Sequence, residues 1–237
     1  MSSSQFAVIF DMDGTMMDNN PFHLLAWKQF CRDTGRDLSV EEYQQKISGR
    51  VNKDILRYLS NSQLTDEKIQ ELSDRKEQIY RELYLPHIAP LKGFLSLIKE
   101  LKTARIKMGI ATSAQPVNIE FAMNLLELHP YFDVLVDSTF VKKGKPDPEI
   151  FLTTAKLLGE TAGSCLVFED SLSGIRGARA AEMRTIGVTT THPEEELFAA
   201  GADFCIPDYV NVTLSVLQNK FMELKSADHV NRSADTW

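Results

Sequence analysis

Cysteine, positive charge and long apolar runs are all scarce in this sequence. The cysteines among its 237 residues are Cys31, Cys165 and Cys205, which lie far apart in the chain and form no CxxC pair. An odd number of widely separated cysteines excludes a disulfide framework. It favours reduced thiols, and we therefore expect a cytoplasmic protein.

The charge balance is acidic rather than basic. Lysine and arginine together number 26, against 33 aspartates and glutamates, which gives a formal net charge of −7. Binding to a nucleic-acid backbone requires a basic surface, so the charge balance argues against this class of partner and we expect none. A small anionic substrate stays compatible with the sequence, because a site can be locally positive within an acidic protein.

Long apolar stretches are missing from the chain. No run approaches the 18 residues that a membrane-spanning helix needs, so we expect no membrane partner. The first ten residues, MSSSQFAVIF, have no basic start and only a short apolar run. They are therefore not expected to be a signal peptide, which again favours the cytoplasm.

Short apolar runs alternate with helical patterns, and 43% of the residues are hydrophobic, which suffices for a sizeable core. The runs predicted to be buried strands are Phe6–Phe10, Lys107–Thr112, Val134–Val136, Cys165–Phe168, Thr185–Val188 and Phe204–Ile206. The segments predicted to be helices are Gly93–Ala104, Pro116–Leu126, Glu149–Leu158, Ser171–Ala181 and Pro193–Ala200. This alternation predicts an α/β fold with a Rossmann-like parallel sheet covered on both faces.

Residues 19–89 differ from the rest, because they contain no run of β-branched residues. The stretches PFHLLAWKQFCRDT and TDEKIQELSDRKEQIYRELYL show apolar residues at helical spacing, and Thr65 before two acids is a suitable N-cap. We predict a helical cap domain at 19–89, a core formed by 1–18 and 90–220, and a polar C-terminal tail at 221–237. An insertion directly after the first strand stands where a lid would be expected.

Polar residues follow the first four predicted strands, and ligands of open α/β sheets bind beyond the carboxyl ends of strands. These residues are Asp11 and Asp13, then Thr112 and Ser113, then Lys145 in the loop KKGKPDPEIF, and finally Glu169, Asp170 and Ser171. Acids, hydroxyls and a lysine are thus expected to converge on one edge of the sheet. This convergence is more informative than any single motif.

The pattern D-x-D-G at Asp11 to Gly14 admits several interpretations. A calcium loop of the EF-hand type fails, because the glycine is fourth instead of sixth and the twelfth residue is Phe22. An acidic turn stays possible. The functional interpretation is a nucleophilic carboxylate beside a second carboxylate that moves a proton, with an aspartyl-phosphate as intermediate. Attack on an anionic phosphoryl group needs charge neutralisation, which Mg²⁺ supplies through oxygen ligands.

The other constellations also have plainer interpretations. Glu169 and Asp170 are either a polar strand end or, with the first two aspartates, a site for Mg²⁺ or Mn²⁺. Thr112 and Ser113 either cap the following helix or, in the functional interpretation, a hydroxyl there binds phosphate oxygens with the help of nearby backbone N–H groups. Lys145 belongs either to a solvated basic run or to the site, as a fixed cation.

Candidate residues in the cap carry weaker signals. His23 lies in an apolar helical stretch, where a core or boundary histidine is as plausible as a ligand. Arg75 and Lys76 lie on a long predicted helix, where charged side chains are usually solvated.

The chain resembles the haloacid dehalogenase superfamily of phosphotransferases from its first strand to about residue 215. Four motifs appear in the order expected for that family: DMDGT, ATSA, KGKPDP and EDSLSGI. The resemblance implies that Asp11 is the nucleophile and Asp13 the acid/base. It also implies that the phosphoryl group is bound by Thr112, Met12, Ser113 and Ala114, and that Lys145 balances its charge. The implied ligands of Mg²⁺ are Asp170, Glu169, Asp11 and the main-chain carbonyl of Asp13.

The pieces FHLLAWK, GRVNKDIL and SDRKEQIY resemble the β-phosphoglucomutase and sugar-phosphatase subgroup. This implies that His23, Arg50, Asn52 and Lys76 contact the substrate. The mutase has a cap arginine that grips a second phosphate. Alignment on Gly49 and Asp54 places Asn52 at that position, and Arg50 comes two residues earlier.

We therefore expect Mg²⁺-dependent hydrolysis of a small sugar or polyol phosphate by a monomeric enzyme, with β-phosphoglucomutase as the alternative. A dehalogenase that works without Mg²⁺ fits poorly with Asp13 and the second acidic pair. A non-catalytic binding protein would be expected to lack one of the four motifs.

Overall fold

The computed structural model describes residues 6–47, 50–60 and 63–234, and within these ranges the chain forms six β-strands and ten α-helices. The strands are β1 (Ala7–Phe10), β2 (Met108–Ala111), β3 (Val134–Val136), β4 (Cys165–Glu169), β5 (Arg184–Val188) and β6 (Phe204–Ile206). The helices are α1 (Asn20–Asp33), α2 (Val40–Lys46), α3 (Asn52–Ser60), α4 (Asp66–Tyr84), α5 (Phe94–Thr103), α6 (Pro116–Leu125), α7 (Glu149–Leu158), α8 (Leu172–Ala180), α9 (Glu194–Ala200) and α10 (Leu214–Ala234).

The chain divides into two compact units, one made of residues 1–18 and 89–237 and the other of residues 19–88. The first, the core unit, contains the sheet, whose strands run parallel in the order β3-β2-β1-β4-β5-β6. The predicted α/β fold with a parallel sheet is therefore confirmed. Strand β1 lies centrally, with Phe10 paired to Ile110 of β2 on one side and to Phe168 of β4 on the other.

Alternate residues of the central strands point to opposite faces of the sheet, as the period of two along a strand requires. Ile9 and Val167 pack with Phe151 of α7 in one apolar cluster. Phe10 and Phe168 stack on the other face with their ring centroids 4.9 Å apart, and Phe94 of α5 meets Phe10 edge-on. Both faces are covered, so each strand can be a continuous apolar run.

The predicted boundaries differ from the observed ones by at most one residue at the strands and helices of the core unit. The C-terminal segment is the exception. Residues 214–234 form the continuous helix α10, so 221–234 continue a helix and are not a separate tail. Phe221 of this helix is buried against Phe6, with ring centroids 5.1 Å apart. The full length of α10 was not predicted, because only the first turns of this helix carry an apolar face and the end of the sequence is polar.

The regular elements in the described residues of the second unit are all helices, as the composition of residues 19–89 predicts. Helix α4 packs against α1 and α3. Its N-cap is Thr65, whose hydroxyl accepts a hydrogen bond from the Lys68 N–H, as predicted. Trp27 and Tyr80 are among the buried side chains of this helical unit. No helix of the described ranges, in either unit, is long and apolar enough to cross a membrane.

Candidate active site

Asp11 follows directly on β1, the central strand. Its N–H continues the sheet ladder by donating to the Phe168 carbonyl of β4, 2.9 Å away. The side chain is 9% exposed. Its Oδ1 accepts a short hydrogen bond from Nζ of Lys145, a residue of the loop that precedes α7. A buried carboxylate is thus held beside a buried ammonium at the carboxyl edge of the sheet.

Glu169 and Asp170 end β4, which is the neighbour of β1. One oxygen from each of Asp11, Glu169 and Asp170 lies within 4.8 Å of the other two, and all three residues are buried. For these three carboxylates, the convergence predicted from the strand ends is therefore present. Glu169 extends β4 one residue beyond its predicted end, which places the carboxylate inside the sheet edge and not in a loop.

Lys145 joins two of these carboxylates. Besides the bond to Asp11, its Nζ donates to Oε2 of Glu169 over 2.8 Å, and the ammonium lies 5.2 Å from the ring centroid of Phe151. The side chain is 6% exposed. Lys145 is therefore not part of a solvated basic run, whereas the neighbouring Lys143 is largely exposed.

The charges of this cluster do not balance. Three carboxylates and one ammonium leave two uncompensated negative charges when all four groups are ionised. Burial, followed by repulsion from Glu169, raises the pKa of Asp170 to about 8. The same two causes raise the pKa of Asp11 well above its usual value, although Lys145 opposes them. Burial lowers the pKa of the Lys145 ammonium, but attraction to Asp11 and Glu169 outweighs burial and raises that pKa. A divalent cation has the charge and the oxygen preference to relieve this imbalance.

The loop after β1 turns sharply. The carbonyl of Met12 accepts from the N–H of Met16 at 2.9 Å, and the N–H of Gly14 donates to the Met17 carbonyl at 2.8 Å. Gly14 has φ +77°, a conformation that glycine adopts without strain. Asp13 is half-buried in this turn, two residues from Asp11. The carboxylate cluster found among the described residues does not include Asp13, whose predicted contribution to the metal site is its main-chain carbonyl.

Thr112 follows β2 and is buried. Its hydroxyl accepts from the N–H of Ala114 at 3.0 Å, which leaves the hydroxyl proton available to donate. The alternative that Thr112 caps α6 is wrong, because the N-cap of that helix is Gln115. The N–H of Ala114 is directed at Thr112, so this arrangement does not support its predicted role in phosphate binding, whereas Ser113 is exposed beside it.

Four residues that support the cluster escaped the sequence analysis. The hydroxyl of Thr15 donates to Oδ1 of Asp170 at 3.2 Å, and that of Thr191 donates to Oδ2. The hydroxyl of Tyr209 donates to the Thr15 carbonyl at 3.0 Å. Gly174 lies so close to Glu169 that a Cβ there would be 2.0 Å from the carboxyl carbon. Thr15 and Gly174 lie inside the motifs DMDGT and EDSLSGI, which is the signal that could have identified them, whereas Thr191 and Tyr209 lie outside all four motifs.

Three of the four predicted cap residues, His23, Asn52 and Lys76, form a cluster within the helical unit together with Ser73 and Glu77, which were not predicted. We call these five residues the Lys76 cluster. Lys76 is 2% exposed, so the expectation that it is solvated is wrong. Its Nζ is 2.9 Å both from Nδ1 of His23 and from Oε1 of Glu77. The Asn52 side-chain amide donates to Oε1 of Glu77 at 2.6 Å and to the Ser73 hydroxyl at 2.8 Å.

The arginines near this cluster are exposed. Arg50 lies at a bend before α3, and the Arg75 side chain is 62% exposed and 3.3 Å from Asp33, as expected for a solvated residue. Gly49, on which the alignment of the predicted arginine position depends, lies outside the described residues. The helical unit thus brings His23, Asn52 and Lys76 together but not Arg50.

A parallel sheet with paired carboxylates and a buried lysine at its carboxyl edge defines an α/β enzyme. Residues 8–188 match the haloacid dehalogenase-like hydrolase family, and the chain belongs to this family. It is 31% identical to "Beta-phosphoglucomutase" of Bacillus subtilis, over 94% of this chain and 99% of that protein. It is also 31% identical to "Phosphorylated carbohydrates phosphatase" of Thermotoga maritima, over 83% and 91% of the two chains.

A solved structure supports the same assignment. A family IA, variant 3 hydrolase from Entamoeba histolytica superimposes with a TM-score of 0.84 at 30% identity, over 92% of this chain and 100% of that one. The resemblance seen in the four sequence motifs is therefore confirmed, and the chain is a phosphatase or phosphotransferase of this family.

Proposed function

We propose that this enzyme hydrolyses the phosphate ester of a small sugar or polyol, with Mg²⁺ as cofactor and a phosphoryl group carried on Asp11. The observation that carries the proposal is the buried contact of Asp11 with Lys145, beside Glu169 and Asp170. Attraction to the Lys145 ammonium is the largest effect that lowers the pKa of Asp11, and it therefore favours the ionised, nucleophilic form of this carboxylate.

The donor set fits Mg²⁺. The cluster offers carboxylate oxygens without histidine or cysteine, and hard oxygen ligands favour Mg²⁺ over zinc. Asp11 and Asp170 would hold the ion together with the main-chain carbonyl of Asp13. Glu169 is already held by Lys145 and by Ser171, whose N–H and hydroxyl lie 3.0 Å and 2.7 Å from Oε1. Bound Mg²⁺ would supply neutralisation of the negative charge on the phosphoryl group and the carboxylates.

The reaction has two steps at phosphorus. In the first, a carboxylate oxygen of Asp11 forms a bond to phosphorus, the bond from phosphorus to the sugar oxygen breaks, and Asp13 donates a proton to that oxygen. In the second, water attacks the aspartyl-phosphate, Asp13 takes up a proton from the water, and inorganic phosphate leaves with Asp11 restored. The hydroxyl of Thr112 donates a hydrogen bond to a phosphoryl oxygen, and the Lys145 ammonium balances the negative charge.

The choice of water as second nucleophile rests on the helical unit. A mutase must hold a bisphosphate, and a bidentate arginine suits the distal phosphate. The resemblance places Asn52 at that position, and its amide is engaged by Glu77 and Ser73. The Lys76 ammonium is paired with Glu77, so these two charges cancel. Such a cluster suits the hydroxyl groups of a monophosphate better than a second phosphate.

The test supplies β-glucose 1-phosphate with a trace of the 1,6-bisphosphate to the Mg²⁺-loaded enzyme. The proposal expects inorganic phosphate to appear as fast as substrate disappears, and a panel of sugar and polyol phosphates to define the preferred ester. EDTA should stop the release and Mg²⁺ should restore it. The Asp11→Asn variant serves as the inactive control, since an amide is a poor nucleophile.

The second candidate function is that of a β-phosphoglucomutase. It is favoured by the similarity to the Bacillus subtilis protein of that name, which extends over almost all of both chains. Accumulation of glucose 6-phosphate with almost no free phosphate would establish it and refute hydrolysis.

A further inference from the structure

The loop after β5 contains two consecutive threonines that reach two other strand ends of the core unit. The hydroxyl of Thr190 donates to the carbonyl of Gly14, in the turn that follows β1. The hydroxyl of Thr191 donates to Oδ2 of Asp170, at the end of β4. The N–H of Thr189 donates to the Ile206 carbonyl of β6 at 2.9 Å, which fixes the start of the loop.

Asp170 is thereby held at both of its carboxylate oxygens. Thr15, from the loop after β1, supplies the donor to Oδ1, and Thr191 supplies the donor to Oδ2. A carboxylate has about four lone-pair positions, more than the two that these hydroxyl bonds use. They also fix the rotation of the carboxylate about its Cβ–Cγ bond. Groups of this kind behind a metal ligand set its orientation before the ion arrives.

We infer that Thr191 is a positioning residue for the metal site, which orients the Asp170 carboxylate from a loop outside the four family motifs. Thr190 anchors this loop to the turn that bears Asp13. The inference rests on the proposed Mg²⁺ site. It also accounts for two neighbouring threonines whose hydroxyls donate to the loops after two different strands, β1 and β4.

The test measures binding of Mg²⁺ alone to the chelator-treated full-length chain by isothermal titration calorimetry, without substrate. Thr191→Val removes the hydroxyl and nearly keeps the volume, Thr191→Ala removes it with less bulk, and Thr191→Ser keeps it. Thr189→Val is the matched control, because the hydroxyl of Thr189 donates to the Ile206 carbonyl, away from the cluster. Near-ultraviolet circular dichroism verifies that each variant is folded.

Thr191→Val and Thr191→Ala should weaken Mg²⁺ binding about 10- to 100-fold, the usual cost of losing such a partner. Thr191→Ser and Thr189→Val should bind Mg²⁺ like the wild type. The inference is overturned if the folded alanine or valine variant binds Mg²⁺ as the wild type does, or if serine fails to rescue binding. If the wild type itself binds no Mg²⁺, the proposed cofactor is refuted together with the inference. If the wild type binds Mg²⁺ and the Thr191 variants bind it equally well, only the role of Thr191 is refuted.

Discussion

Gly174 lies in the first turn of α8, beside the carboxylate of Glu169. A Cβ at this position would stand 2.0 Å from Cδ and 2.1 Å from Oε2 of that glutamate. Oε2 is the oxygen that accepts from Lys145 at 2.8 Å. The motif EDSLSGI therefore requires glycine at this position because a side chain would overlap the Glu169 carboxylate. With glycine, helix α8 can begin directly against this buried carboxylate.

Gly174→Ala should displace the Glu169 carboxylate and, through Lys145, disturb Asp11. Displacements of about 1 Å in an active site can lower turnover about 100-fold, and we expect a loss of that order. The measurement is kcat on the preferred ester. Gly163→Ala is the control, because a Cβ there meets nothing within 4 Å. Full activity in a folded Gly174→Ala variant would show that the crowding is relieved without moving the site.

At the scale of elements, the candidate groups lie at strand ends in the core unit and on helices α1, α3 and α4 in the second unit. Helix α4 buries Lys76 and Glu77 as adjacent residues, with the ammonium 5.2 Å from the ring centroid of Trp27. A buried ion pair stabilises a fold only modestly, but loss of one partner leaves an uncompensated charge.

Glu77→Gln should therefore lower the free energy of unfolding by about 3–5 kcal/mol, because the Lys76 ammonium would stay buried beside a neutral amide. Urea unfolding followed by circular dichroism measures this. Glu71→Gln is a control on the same helix, since Glu71 is exposed and pairs with Lys68 three residues away. That exposed pair should contribute less than about 1 kcal/mol. Equal effects of the two substitutions would contradict the role given to the buried pair.

The elements of the core unit were predictable because their amino-acid composition indicates which of them are buried. Runs such as CLVF are apolar throughout, as strands covered on both faces must be, and acids directly after such runs marked the site. Thr191 was not predictable, because its contact with Asp170 joins residues 21 positions apart through a loop of ordinary polar composition. Lys76 was misjudged for a similar reason: its burial depends on Trp27 and Tyr80, which helical periodicity alone does not place against it.

At the scale of the whole molecule, the uncompensated carboxylates should make stability depend on pH. The pKa of Asp170 is raised to about 8 by burial and by Glu169, against about 3.9 in an unfolded chain. Between these values the folded protein holds a proton that the unfolded chain has released. The contribution of protonated Asp170 to the free energy of unfolding is therefore complete below about pH 4 and is lost as the pH rises through about 8.

In EDTA, the free energy of unfolding should thus fall between about pH 5 and pH 8, and the fall should be smaller in Asp170→Asn, which cannot titrate there. Saturating Mg²⁺ should also make this fall in the free energy of unfolding smaller, because the cation stabilises the ionised carboxylates. Urea titrations at several pH values measure these slopes. A metal-free wild type whose pH dependence equals that of Asp170→Asn would contradict the raised pKa.

The central claim is that Asp11 carries the phosphoryl group. The most direct measurement is rapid acid quenching of the Mg²⁺-loaded enzyme during turnover of a ³²P-labelled sugar phosphate, followed by peptide mapping. The account predicts a covalent phosphoryl label that is released by hydroxylamine, lies on the peptide containing Asp11 and is missing in Asp11→Asn. A label on another residue, or turnover without any covalent label under conditions that trap acyl phosphates, would contradict it.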